Sequence, residues 1–95
     1  MNEVELHAQK QRGIRAKQIL DDELIKKAFH DIRESIFDKI AQSSFKQQDD
    51  REDCYRMLRA IESFEGKFKQ YINTGKVAED KLNPLMKVVK RVQEI

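Results

Sequence analysis

The chain has 95 residues, enough for one domain and too few for two. Charged residues make up 38% and the apolar class 39%, against typical shares of about 25% and 45–50%, a balance that suits amphipathic helices with solvated outer faces. Three glycines and one proline are too few for the turns of a sandwich or barrel, the single cysteine excludes an internal disulfide, and no apolar run approaches the roughly 20 residues of a membrane-spanning helix.

Residues 3–20 read as an N-terminal arm or helix. Their apolar positions (Val4, Leu6, Ala8, Ile14, Ala16, Ile19, Leu20) trace no continuous stripe, and Gly13 interrupts them at about 1 kcal/mol relative to alanine. The segment is expected to be partly exposed or ordered by a partner, and to bend near Asp21-Asp22. Residues 22–43 are predicted to be an amphipathic helix capped by Asp21 or Asp22. Ile25, Phe29, Ile32, Ile36 and Ile40 recur there at helical spacing, where a strand would alternate. A polar link over 43–48 then makes the next helix an antiparallel neighbour.

The segment 50–73 carries the most regular pattern. Cys54, Met57, Ile61, Phe64, Phe68 and Tyr71 alternate at spacings of three and four, a heptad seam widened by Leu58 and Ile72. Glu65 occupies the equivalent position between those two and departs from the pattern. Asp49 and Glu52 read as a capping box, and Asn73-Thr74-Gly75 reads as a C-terminal stop. A last helix is predicted over 83–94, with Asn83 as N-cap, Pro84 at the first helical position and Leu85, Val89 and Val92 on one face.

These readings give an all-α fold, a long antiparallel αα-hairpin with flanking N- and C-terminal helices, forming one small helical bundle over 1–95. Two helices alone leave part of each stripe wet. Either the terminal segments close over the hairpin or copies associate, and homo-oligomer and monomer are equally open.

No catalytic, cofactor or metal site is expected. Cys54 sits in a first helical turn, but as the first seam residue beside Asp50 and Asp53 it reads as a small core filler. His7 and His30 lie 23 residues apart and read as surface residues. The acids at 49–53 are accounted for by capping and the helix dipole. The net charge is only +2, where a dedicated nucleic-acid binder carries a larger or sharply segregated excess. By sequence segment the balance is +2 over 1–20, −2 over 21–43, 0 over 44–75 and +2 over 76–95. Lys10, Arg12, Arg15 and Lys17, with Lys87, Lys90 and Arg91 near the other end, are the candidate phosphate or partner contacts.

The order Gly13-Ile14-Arg15-Ala16-Lys17-Gln18-Ile19-Leu20-Asp21-Asp22-Glu23-Leu24, then Ala28-Phe29, then Asp50-Arg51-Glu52 opening a long helix, then Thr74-Gly75-Lys76-Val77-Ala78, resembles a group of small all-helical proteins of tailed bacteriophages encoded among packaging and virion-structure genes. It covers about two thirds of the chain and rests on caps and apolar spacing. The resemblance implies work in particle assembly or as an accessory factor, in the cytoplasm of an infected bacterium or in the virion, and transfers no catalytic residue. The expected function is a non-enzymatic protein-interaction module binding itself or a phage or host protein, without a membrane. The alternatives are a nucleic-acid-binding packaging accessory and a small inhibitor of a host enzyme.

Overall fold

The computed structural model describes residues 2–43 and 48–83, and these form three helices: α1 (Glu3–Asp21), α2 (Glu23–Gln42) and α3 (Gln48–Leu82). The chain divides into two units that share α3. One joins α1 to the C-terminal part of α3 (Met1–Gln18 with Phe68–Ile95), and the other joins α2 to its N-terminal part (Ile19–Lys67).

α1 starts under an asparagine cap, with the Glu5 backbone N–H donating to Asn2 Oδ1 at 2.8 Å. Glu3 and Glu5 in the first turn complement the helix dipole. Of the two expectations, arm or helix, the structure has the helix, and it runs unbroken through Gly13, where an interruption was expected. Its inner line is Leu6, Gln9, Gly13, Ala16 and Leu20, all buried or half-buried. The spacing is that of a heptad seam, made from residues too small or too polar to show as an apolar stripe.

A single residue, Asp22, separates α1 from α2. Its backbone is extended, and its carboxylate accepts from the N–H groups of Leu24 (2.9 Å) and Ile25 (3.2 Å). Two of the orphan donors of α2 are thereby satisfied. Asp22→Ala is expected to cost about 1 kcal/mol, read as a lower urea midpoint at unchanged slope.

In the α2–α3 unit the helices run antiparallel, as the contacts Phe29–Phe64, Arg33–Glu65 and Ser43–Arg51 require. Ile36 is the anchor at 2% exposure, with Cys54 also buried. Ile25, Phe29 and Ile40 of α2 and Leu58 and Ile61 of α3 are half-buried around them. The buried line on α3 differs from the expected seam by one position at two places. Leu58 and Glu65 turn inward, and Met57 and Phe64 stand mostly exposed. On α2, Arg33 likewise takes the inner place expected of Ile32. The reason is a polar pair. Arg33 Nη2 lies 3.1 Å from Glu65 Oε1 with both side chains largely covered, and the Arg33 guanidinium also lies over the Phe29 ring, 5.6 Å from its centroid. A double-mutant cycle between Arg33→Ala and Glu65→Ala is expected to return about 1 kcal/mol of coupling; additive losses would mean the pair does not set the register.

α3 also corrects the predicted stop at Asn73-Thr74-Gly75. It runs to Leu82, and Gly75 lies buried inside it without a positive φ. The helix starts at Gln48, so Asp49 belongs to its first turn and is not its cap. The helix expected over 83–94, with Leu85, Val89 and Val92, lies outside the described residues save Asn83. That residue follows α3, and its N–H donates to the Glu79 carbonyl at 3.0 Å.

In the α1–α3 unit the two backbones meet at glycines. A Cβ placed on Gly13 would lie 2.8 Å from the Tyr71 carbonyl oxygen and 3.0 Å from Gly75 Cα. One placed on Gly75 would lie 3.0 Å from both the Gln9 carbonyl oxygen and Gly13 Cα. Buried Ala16 and Ala78 flank the crossing. Each glycine costs its helix about 1 kcal/mol of propensity, and the close approach it permits offsets that cost.

Candidate interaction surfaces

The α2–α3 unit leaves more large apolar side chains outside than it buries. Leu24, Ile32, Phe37, Tyr55, Met57 and Phe64 are 42–74% exposed, whereas Ile36 and Cys54 are its two buried apolar residues among those described. Helical register sorts the exposed set. Leu24, Ala28 and Ile32 follow at i, i+4 along one side of α2, and Met57 and Phe64 lie two turns apart on one side of α3. In an antiparallel pair these two rows border one edge, and Phe37 and Tyr55 border the other. Where the first edge reaches the end of α2, Lys39, Asp50, Asp53, Cys54 and Met57 line an open cleft of about 420 Å³.

The α1–α3 unit has its own cleft, about 150 Å³, beside the glycine crossing. Ile14 and Ile72 supply its apolar wall; Lys10, Lys17 and Lys76 surround it with Glu79. Two of the candidate phosphate contacts, Lys10 and Lys17, are therefore brought together. Arg12 is not among them: its guanidinium lies 5.9 Å from the centroid of the Tyr71 ring. Arg15 is exposed outside the cleft. Lys87, Lys90 and Arg91 lie outside the described residues. Lys76 was missed by the sequence reading because it follows the supposed stop. Carrying the 54–71 spacing onward would have found it, since the next seam positions are Gly75, Ala78 and Leu82.

Of the seam residues, Phe68 and Tyr71 belong to the α1–α3 unit, where both are half-buried and their rings meet edge-on at 6.5 Å. His30, Asp31 and Glu34 bring one ligand atom each within 4.8 Å of one another, all on exposed side chains. Local pairing accounts for the group, with Glu34 Oε2 3.2 Å from His30 Nε2 and Asp31 Oδ2 3.1 Å from Lys27 Nζ. Among the described residues no buried side-chain polar atom lacks a partner, and no helix is long and apolar enough to cross a membrane. No protein-family model, curated protein or solved structure matches the chain.

Proposed function

We propose that this chain is a non-enzymatic protein-interaction module of structural or assembly type, acting through the exposed faces of the α2–α3 unit. The observation that carries the reading is the imbalance in that unit: six large apolar side chains stand exposed around a core anchored by Ile36 and Cys54. Scattered apolar residues are ordinary on a soluble surface, but rows of them along one edge mark a contact face. Full burial of a wholly exposed group of this kind gains roughly 1.5–3 kcal/mol, and these six, at 42–74% exposure, have about half of that left for a partner to supply. The resemblance to small helical proteins of tailed bacteriophages supports an assembly role in an infected bacterium, with the virion or its precursors as destination.

Ile32→Ser with Phe64→Ser tests the reading. Both positions are exposed, so the helical circular dichroism should stay close to wild type while association is lost. That association is measured by light scattering of the pure chain and by sedimentation with particles from infected cells. Unchanged association in the double variant, or none in the wild type by either measurement, would contradict the proposal.

A second reading, contact with nucleic acid, is favoured by the lysines gathered at the α1–α3 cleft. It predicts binding to duplex DNA that weakens steeply with salt.

A further inference from the structure

We infer that copies of this chain associate head to tail, the lysine-rimmed cleft of the α1–α3 unit in one copy receiving the aspartate-bearing edge of the α2–α3 unit in the next. The inference rests on the interaction reading above and names the partner as a second copy.

Charge is the first argument. Among described residues the α1–α3 unit has seven basic and four acidic side chains (+3), and the α2–α3 unit has eight basic and twelve acidic (−4). Sums along the sequence carry the same signs, +2 at each end and −2 to 0 between, and the fold joins the two basic ends into one unit. A weak net charge thus hides two units of opposite sign.

The clefts themselves are the second argument. Each combines an apolar wall with a charged border, Ile14 and Ile72 beside Lys10, Lys17 and Lys76 in one, Cys54 and Met57 beside Asp50 and Asp53 in the other. Each also holds one side chain of the minority sign, Glu79 and Lys39 respectively, and those two are again opposite. Asp53 accepts from Arg56 at 2.7 Å, an exposed pair of small worth, and a carboxylate has sites for a second donor.

The pairing must join unlike patches. A two-fold contact through either cleft would set lysines against lysines or aspartates against aspartates, and like charges across an interface are penalised. A contact between different patches is heterologous, so it repeats until it closes into a ring or grows into a filament. Nucleic acid suits the lysine cleft less well, since phosphates would meet Glu79 there and the −4 unit would be repelled.

A charge swap decides the matter on the full-length chain. Two variants are made, Lys10→Glu with Lys76→Glu and Asp50→Lys with Asp53→Lys, each checked for wild-type helicity by circular dichroism. Masses are read by size-exclusion chromatography with light scattering at about 0.05 M salt, where screening is weak. The wild type is expected to assemble, each variant alone to run at the 11.3 kDa monomer mass, and the equimolar mixture to recover assembly, because the reversed patches are complementary. Assembly by both variants alone, or a mixture that stays monomeric, would overturn the inference. So would lysine-dependent binding of a DNA duplex by a wild-type chain that is itself monomeric. Assembly that survives both charge variants but is lost in Ile32→Ser/Phe64→Ser would overturn the head-to-tail geometry and leave the interaction module standing.

Discussion

Gly13→Ala is expected to destabilise the protein by about 1–3 kcal/mol, although alanine is the better helix former by about 1 kcal/mol. The added methyl would sit 2.8 Å from the Tyr71 carbonyl oxygen and 3.0 Å from Gly75 Cα. Both are backbone atoms, so no rotamer change relieves the contact and the helices must part. Gly75→Ala should behave alike, since its Cβ would meet the Gln9 carbonyl oxygen and Gly13 Cα at 3.0 Å. Gly66 is the internal control. It lies in the same helix as Gly75, with nothing within 4 Å of an added Cβ, so Gly66→Ala should stabilise by about 0.5–1 kcal/mol. Urea unfolding at constant slope reads the three values. Stabilisation at all three glycines would mean that α1 does not dock on α3 as described.

Ile36→Ala should cost about 2–4 kcal/mol, a large share of the roughly 5–15 kcal/mol that holds a domain together. Its neighbour Phe37 has the larger ring, yet Phe37→Ala should cost less than about 1 kcal/mol. The difference lies in burial, 2% exposed against 52%. Removing atoms from a filled site loses both their transfer free energy and the contacts around the cavity, whereas removing an exposed ring loses little of either. Comparable losses at both positions would mean that Phe37 is covered in solution. The finding would itself point to a contact across the second edge, beside Tyr55.

The helical character of α2 and its cap were legible because they rest on local signals. Ile25, Phe29, Ile36 and Ile40 recur at helical spacing, and an aspartate stands where the first N–H groups need an acceptor. The parts that did not read share one cause. Glycine and alanine at a close helix crossing mimic disorder and stop signals: Gly13 looks like an interruption and Asn73-Thr74-Gly75 looks like a cap. Only the facing backbone shows that each glycine is there for contact, and that contact overrides the propensity penalty of both. The inward turn of Arg33 was illegible for a related reason, since the residue answering it, Glu65, is 32 positions away. Read alone, Glu65 looked like a lapse in an apolar stripe, and Arg33 lay outside the stripe that Ile32 completed. The lysine cleft was half legible. Lys10 and Lys17 lie in a run, 6–20, that holds no aspartate or glutamate, but Lys76 joins them only once α3 passes its supposed end, and the basic balance of both chain ends becomes the charge of one unit only in the fold.

The mass of the wild-type chain in solution, followed from low to high salt, tests the central claim most directly. Association between oppositely charged units predicts a multiple of 11.3 kDa at about 0.05 M salt that falls toward the monomer near 0.5 M, where the screening length drops to roughly 4 Å. A mass of 11.3 kDa at both salts would contradict it.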